Sequence, residues 1–160
     1  MALPNPAAIP SFSAMPHPPF VPLRVFSSYT MLDGAIDPKA MAKLAKERHF
    51  PAIAMTDRNG LYGAMSFASA CKDMGVQPLI GTFLGLRRDG SGPIDWLGLL
   101  VQNDAGWLNL CRLVSRAHLD RPLEHEPHVT LDDLEGYSDG LICLTGAGEG
   151  AVARLVAAGR

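Results

Sequence analysis

The sequence predicts an α/β fold in which parallel strands alternate with flanking helices. Residues 20–26 form an apolar run that breaks into a polar loop ending at Gly34. Residues 52–56 form a second, almost continuous apolar run, which ends in the turn residues 57–60. A stretch with clear helix signals separates the two runs. This order of strand, loop, helix and strand is typical of a parallel sheet, in which functional side chains gather where the strands end.

The composition indicates one soluble, cytoplasmic domain with a sizeable core. The chain has 160 residues, 48% of them hydrophobic, and a formal net charge of −2. Without an excess of Lys and Arg, the sequence as a whole gives no case for nucleic-acid binding. It also shows no apolar run of transmembrane length and no signal-peptide order at the N-terminus. Cys71, Cys111 and Cys143 fall in apolar or helical stretches, so we expect buried free thiols in a reducing compartment.

The N-terminal 19 residues differ from the rest of the chain. They contain six prolines and no Asp, Glu, Lys or Arg. Because proline disrupts helices and central strands, we expect a disordered or loosely extended leader over residues 1–19. Folded structure is expected to begin at Phe20 with the first strand, so that residues 20–160 make up the domain.

Two helices are predicted in the first half of the domain. Asp37 and Pro38 form a helix start, because Asp accepts hydrogen bonds from free amides and proline loses none at the first position. This helix should end before Pro51. A second helix is predicted over residues 62–74, with Gly75 as its C-terminal cap. The side chains expected to face the core from this second helix are Met65, Phe67, Ala68 and Cys71.

The second half continues the alternation. Asn103 and Asp104 are expected to cap a long amphipathic helix, and Thr130 to cap a short helical turn. Further strands are predicted at residues 76–84, 96–101 and 140–145. The loop of residues 87–93 suits a hairpin or an exposed turn. The last helix is predicted over residues 151–158. Five strands in this order favour a sheet with right-handed crossovers, in an incomplete barrel or a truncated domain.

Two stretches carry residues that resemble functional sites but fit plainer explanations better. The glycines of residues 146–150 lack the dinucleotide-binding spacing and the Lys-Ser/Thr of a nucleotide loop, so we interpret them as a simple strand-to-helix turn. His118, His125 and His128 have carboxylates beside them but no fixed geometry, and we expect them to be exposed loop histidines. The three cysteines sit in core-like settings and offer no nucleophile.

The strand ends remain, and their residues have little metal-binding chemistry. Pro22 and Phe26 come from the first strand, Asp57 and Arg58 from the second, and Phe83 from the third. Only Asp57 could bind a metal. Asp-Arg-Asn-Gly is also a natural turn sequence, and the favoured interpretation is that Asp57 bonds the backbone of its own turn.

Four motifs resemble one family. They are residues 20–34, 52–57, 78–81 and 109–115. In order and spacing they closely resemble the N-terminal polymerase and histidinol phosphatase (PHP) domain of bacterial DNA polymerase III alpha subunits. The resemblance covers residues 20–160 and implies a distorted seven-stranded β/α barrel, of which this chain would hold the first half to two thirds.

The resemblance also implies where a metal site would lie. Metal-binding members carry His, Asp, Glu and Cys ligands at positions that correspond here to Pro22, Phe26, Asp57, Arg58, Phe83 and Ala147. Only Asp57 keeps a ligand, and one carboxylate does not offset the cost of dehydrating divalent ions. We therefore expect no metal, no cofactor and no catalytic residue. We further expect the guanidinium of Arg58 or Arg24 to pair with Asp57, and Phe26 to pack against Phe83 in the former cleft.

The function implied by the resemblance is that of a non-catalytic scaffold in a replicative polymerase. Such a module would dock the proofreading exonuclease and other holoenzyme subunits and stabilise the polymerase, without direct DNA or membrane contact. One alternative is a metal-dependent phosphoesterase or 3′-5′ exonuclease that uses Asp57 with His118 or His128. Another is the same domain of an error-prone alpha paralogue. An open sheet edge in a truncated barrel would also favour self-association.

Overall fold

The structure is a computed structural model that describes residues 20–88, 90 and 92–159. Its helices are α1 (Pro38–Glu47), α2 (Ala64–Met74), α3 (Asp104–Leu119), α4 (Leu131–Gly136) and α5 (Ala151–Ala157), with a 3-10 turn at Ala147–Glu149. Its strands are β1 (Ala52–Met55), β2 (Gln77–Leu86), β3 (Asp95–Val101) and β4 (Leu141–Leu144). The predicted leader, residues 1–19, lies outside the described residues.

The four strands form one mixed sheet in the order β1-β2-β3-β4. β1 runs parallel to β2, with Ala54 opposite Leu79, but β2 pairs antiparallel with β3 and β3 antiparallel with β4. The prediction of parallel strands is therefore wrong for two of the three strand pairs. For β2 and β3 the physical reason is the short connection between them, which closes a hairpin and is too short for the crossover that a parallel neighbour requires. The chain between β3 and β4 is long enough for a crossover because it contains α3 and α4, but these two strands also pair antiparallel. The fold is mixed α/β with flanking helices, and the partial seven-stranded barrel is not confirmed.

The predicted first strand is an irregular segment beside β1. The N–H groups of Ala54 and Thr56 donate to the carbonyls of Pro22 and Val25, at 2.8 and 2.9 Å. Pro22 has no N–H to donate in return, which limits regular pairing. The segment then turns at Ser27, which makes a single bridge to Ile36. It nevertheless places its side chains next to the carboxyl end of β1.

The predicted helix caps are present. The carboxylate of Asp37 accepts from the amide of Lys39 at 2.8 Å, and Pro38 is the first residue of α1. Gly75 ends α2 with a left-handed φ of 68°. Asn103 caps α3, and Thr130 forms a reciprocal capping box with the third residue of α4. These local signals place the starts of α1, α3 and α4 and the end of α2.

Two hydrophobic clusters make up the core. One lies between α1, α2 and β1 and is centred on Met41 and Phe67, both almost fully buried. The other lies between α3 and the strands β2 and β3 and is centred on Leu84 and Leu110. Each such side chain contributes about 2 kcal/mol when it is removed from water. The two clusters hold the helices against the sheet and fix the strand ends.

Two side chains expected in the core are on the surface. Met65, in the first turn of α2, is 80% exposed. Cys143 in β4 is also exposed, because β4 is at the edge of the sheet in the described part of the chain, whereas Cys71 is buried and Cys111 is half-buried. Burial raises the pKa of the Cys71 thiol to about 11. None of the described helices is long and apolar enough to cross a membrane.

Candidate functional site

Asp57, directly after β1, is the most buried carboxylate of the candidate site. Only 1% of the surface of this residue is exposed to solvent. Its carboxylate accepts hydrogen bonds from the amide and the hydroxyl of Ser27, both at 2.6 Å, and from the hydroxyl of Thr30 at 2.8 Å. Three donors thus compensate the buried negative charge.

Both predictions for the partners of Asp57 are wrong. The carboxylate bonds a segment about thirty residues earlier in the chain, so it does not stabilise its own turn. It also has no guanidinium partner among the described residues, because hydroxyl and amide donors fill its positions. Arg58 donates to Thr30 Oγ1 through its backbone N–H at 3.1 Å, and its guanidinium does not reach Asp57.

The two arginines instead pair with two other carboxylates. Arg58 donates from Nε to Asp33 at 2.8 Å and from Nη2 to Glu149 at 2.7 Å. The guanidinium of Arg24 also donates to Glu149. We call Arg24, Asp33, Arg58 and Glu149 the arginine clamp. It joins parts of the chain that are up to 125 residues apart.

The pKa values in the arginine clamp reflect this pairing. Partial burial disfavours the charged form of Arg58, but its bonds to Glu149 and Asp33 outweigh that effect and raise its pKa above the ordinary value. Burial likewise pushes the pKa of Glu149 upward, and the hydrogen bonds from Arg58 and Arg24 more than offset it, so the pKa lies below its usual range. Arg58 and Glu149 therefore both remain charged at neutral pH.

Aromatic rings lie against both guanidinium groups. Phe26 packs against Phe83 with ring centroids 5.6 Å apart, as the sequence predicts, and Phe83 stacks on Trp96 at 5.5 Å. The guanidinium carbon of Arg24 lies 4.1 Å from the Phe83 ring centre, and that of Arg58 lies 4.4 Å from the Trp96 ring centre. Such cation–π contacts contribute about 0.5–1 kcal/mol each and hold the guanidinium planes in place.

The remaining positions of the predicted site are also non-ligating. Pro22 contributes its backbone carbonyl to β1. Ala147 begins the 3-10 turn with a φ of 49° and lines a cavity of about 230 Å³ together with Arg24, Thr56 and Phe83. Sequence reasoning missed Glu149, two residues later. The only available signal was a single acidic residue inside the glycine-rich turn.

The histidines are dispersed. His118 lies on α3, with Nε2 at 2.7 Å from the carbonyl oxygen of Asn59, and His125 is exposed. His128 is buried, with Nδ1 at 2.8 Å from the carbonyl oxygen of Glu126, so the prediction of an exposed loop histidine is wrong there. Its loop is held against the end of β2, where Arg87 donates to the Val129 carbonyl.

The donor set does not fit a metal cluster. Within residues 20–88, 90 and 92–159, no three His, Cys, Asp or Glu side chains lie together in a way that could hold a metal ion. At the strand ends, Asp57 already accepts three hydrogen bonds, and Arg24 and Arg58 bring positive charge to the same region. A divalent cation there would meet two guanidinium groups, and the carboxylates of Asp33, Asp57 and Glu149 are already bonded to other groups.

A family model and several curated proteins match this chain over most of its length. The family model described as "PHP domain" matches residues 22–160. DNA polymerase III subunit alpha of Caulobacter vibrioides is 44% identical over 147 residues, which are 88% of this chain and 13% of the relative. The corresponding subunits of Borreliella burgdorferi and Vibrio cholerae are 36% and 34% identical, over 88% and 91% of this chain and 13% of each relative.

The chain thus spans about 13% of the length of these curated relatives. A solved amidohydrolase structure from Chromobacterium violaceum superposes on 61% of this chain and 32% of its own, with 21% identity and a TM-score of 0.49. The family match covers the strand ends, the arginine clamp and every described helix. The chain therefore belongs to the PHP domain family.

Proposed function

We propose that this chain is the PHP module of a DNA polymerase III alpha subunit and acts in cytoplasmic DNA replication without catalysing a reaction itself. In this role it stabilises the polymerase chain and docks the proofreading exonuclease subunit. The sequence similarity to alpha subunits supports the polymerase context. The observation that carries the non-catalytic role is the arginine clamp at the strand ends.

Charge balance supports a structural role for the clamp. Its two guanidinium groups are matched by two carboxylates, so the group is neutral overall. A divalent ion placed there would have to displace a guanidinium or share a carboxylate with one, and either change leaves a partly buried charge without its partner. The same contacts hold the turn at Asp33 and the glycine-rich turn at Glu149 against the end of β1.

The aromatic packing supports the same conclusion. A hydrolytic site needs an open cleft in which a water molecule can approach a substrate phosphate. Here Phe26, Phe83 and Trp96 pack on one another and against the two guanidinium groups. Stacked rings and paired charges of this kind are typical of a rigid structural element and not of a catalytic site.

Metal content and turnover test the non-catalytic role. The purified protein is incubated with Zn²⁺ or Mn²⁺, desalted and analysed by mass spectrometry for bound metal, and assayed with a phosphomonoester and with single-stranded DNA. We expect less than 0.1 metal ion per chain and no hydrolysis above that of an Asp57→Ala variant. Stoichiometric metal together with hydrolysis that Asp57→Ala abolishes would favour a phosphoesterase or 3′-5′ exonuclease instead.

Direct binding tests the docking role. The proofreading exonuclease subunit of the same organism is titrated into the protein by isothermal calorimetry. We expect a saturable one-to-one complex. No detectable heat and no co-elution at micromolar concentrations would refute docking by this module while leaving its family unchanged.

A further inference from the structure

An open cavity of about 600 Å³ lies on the outer side of α3, next to Tyr137 at the end of α4. Leu108, Arg112 and Ser115 all line it. They are separated by four and three positions, so they project from one face of the helix. The residues of the arginine clamp do not line this cavity. We call it the α3 cavity and treat it as a site of its own.

Uncharged groups hold the guanidinium of Arg112 in the α3 cavity. Its Nη1 donates to the side-chain oxygen of Asn109 at 3.3 Å, and its central carbon lies 5.8 Å from the centre of the Tyr137 ring. Asn109 is fixed in turn, because it is buried and its side-chain amide donates to the carbonyl of Asp139 at 2.9 Å. Most N–H donors of Arg112 have no acceptor within the described residues. They are oriented in advance and available to a ligand.

The neighbouring arginines are already paired with carboxylates. Arg116 Nε lies 3.0 Å from Asp133 Oδ1 and 3.1 Å from Asp120 Oδ2. Arg121 Nη2 lies 2.9 Å from Asp133 Oδ2. Arg112 has no ion pair with a carboxylate in the part of the chain that the structure describes. Three guanidinium groups therefore stand beside two carboxylates in this cluster, and the positive charge that remains is on Arg112.

The donors at this end of the α3 cavity suit an oxyanion. A guanidinium binds two oxygens of one phosphate group through parallel N–H donors. The hydroxyl of Ser115 donates a third hydrogen bond, and three positions separate it from Arg112 by only about 4.5 Å along the helix axis. Asp120 would repel an anion, but it is eight positions beyond Arg112, about 12 Å along the axis. A phosphate group has an oxygen for each of these donors and more negative charge than a carboxylate.

We propose that Arg112 and Ser115 form a binding site for a phosphate group, either free inorganic phosphate or the phosphate of a nucleoside monophosphate. Two phosphate oxygens accept from the guanidinium, and a third accepts from the hydroxyl. Leu108 and Tyr137 give the same cavity an apolar side, against which the nucleoside of a larger ligand packs. The site does not depend on the polymerase context proposed above.

An NMR titration of the isotope-labelled protein tests the site directly. The probes are inorganic phosphate, dAMP and uncharged deoxyadenosine, at constant ionic strength set with chloride. We expect saturable shifts of the Arg112 Nε–H and Ser115 amide signals with phosphate and dAMP, with a dissociation constant on the order of 1 mM, and no shift with deoxyadenosine. Tighter binding of dAMP than of phosphate would identify a nucleotide as the ligand, and equal binding would identify free phosphate.

Two variants and a matched control locate the binding. Arg112→Gln removes the charge but keeps a good helix former, and it should raise the dissociation constant at least about tenfold. Ser115→Ala removes only the hydroxyl and should weaken binding less. Arg48→Gln is the control, because Arg48 is another exposed arginine without an ion pair among the described residues, but it lies at the end of α1. It should leave the dissociation constant unchanged. Unchanged signals from residues distant from each substitution confirm that the fold is intact.

Several results would overturn the site. One is a lack of saturation with both phosphate and dAMP at concentrations of about 20 mM. Another is binding that Arg112→Gln leaves intact, or that Arg48→Gln weakens equally, because the anion would then respond only to the overall charge of the protein. Deoxyadenosine that binds as tightly as dAMP would show that the phosphate group is not recognised. None of these results bears on docking of the exonuclease subunit, which is measured separately.

Discussion

Replacing Asp57 by asparagine distinguishes a structural carboxylate from a leftover metal ligand. The substitution keeps the shape of the side chain but removes its charge and turns one acceptor into a donor. Its three present partners, the amide and hydroxyl of Ser27 and the hydroxyl of Thr30, are all donors toward Asp57. The amide group of asparagine cannot accept from all three of them.

The expected loss can be worked from these contacts. A hydrogen bond to a charged group contributes about 1.5–3 kcal/mol, against about 0.5–1.5 kcal/mol for a neutral one. Because asparagine keeps part of the network, and because the Ser27 hydroxyl can rotate to accept, we expect a net loss of about 2 kcal/mol of unfolding free energy. In a chain of this length that corresponds to a decrease of roughly 6 °C in melting temperature.

Equilibrium urea unfolding and calorimetry measure this loss, in buffer with a chelator. Asp37→Asn is the matched control, because Asp37 is an exposed helix cap and asparagine caps helices about as well as aspartate. The control should change stability by less than about 0.5 kcal/mol. An unchanged slope of free energy against urea would show that the unfolded states are comparable.

The opposite result would refute the structural interpretation of Asp57. In a metal-binding site without its metal, a buried carboxylate has no counter-charge and lowers the stability of the protein. Removing its charge would then raise the free energy of unfolding. An Asp57→Asn protein that is as stable as the parent, or more stable, would therefore indicate a carboxylate kept for binding. It would contradict the compensation by Ser27 and Thr30 on which the structural role depends.

Three further measurements test other parts of the structure. Glu149→Gln should cost about 0.5–1 kcal/mol, less in 1 M salt, because the partly exposed clamp is screened by ions. The folded pKa of Glu149 lies below its unfolded value near 4.3, so the contribution of Glu149 is complete above about pH 4.3 and is lost as the pH falls through the folded pKa. The stability of the Glu149→Gln protein should not show this loss as the pH falls. If its stability depended on pH in the same way as that of the parent protein, the prediction would be contradicted. A thiol reagent should modify Cys143 in the native protein and Cys71 only after unfolding, because the Cys143 side chain is exposed and the Cys71 side chain is buried. Rapid labelling of Cys71 in the native protein would contradict this burial.

The helices could be predicted from the sequence because their signals are local. Asp37 and Pro38 begin α1, Gly75 ends α2 and Asn103 begins α3, each through contacts with residues no more than four positions away. The exposed position of Met65 was missed because the first turn of α2 leaves one side open, and hydrophobic spacing does not reveal which side a neighbour covers.

Strand direction depends on contacts that sequence patterns do not encode. An apolar run of five or six residues fits a parallel and an antiparallel neighbour equally well. The Asp-Gly and Gly-Pro steps between β2 and β3 are a local signal compatible with the hairpin that is present. The assumption that all connections are crossovers outweighed that local signal.

The candidate site shows the same division between local and long-range contacts. The family resemblance predicts that Phe26 packs against Phe83, and this packing is present. The partners of Asp57 and Arg58 could not be predicted from the sequence, because Ser27 and Glu149 lie about 30 and 90 residues away from them along the chain. Charge alone suggested that an arginine would pair with the buried carboxylate. The fold places hydroxyl donors nearer.

The arginine clamp also explains why a single substitution would not restore a metal site. Replacing Arg58 by histidine would add one ligand but remove the cation that pairs with Asp33, and would leave Glu149 with Arg24 alone. It would also remove the contact that covers Trp96, and the non-ligating Phe83 ring would remain stacked on Trp96. The substitution therefore costs stability before any metal can bind, because Asp33 loses its partner while too few ligands are present to replace it. The charges and rings at the strand ends depend on one another, and this coupling favours keeping the site as a rigid structural element.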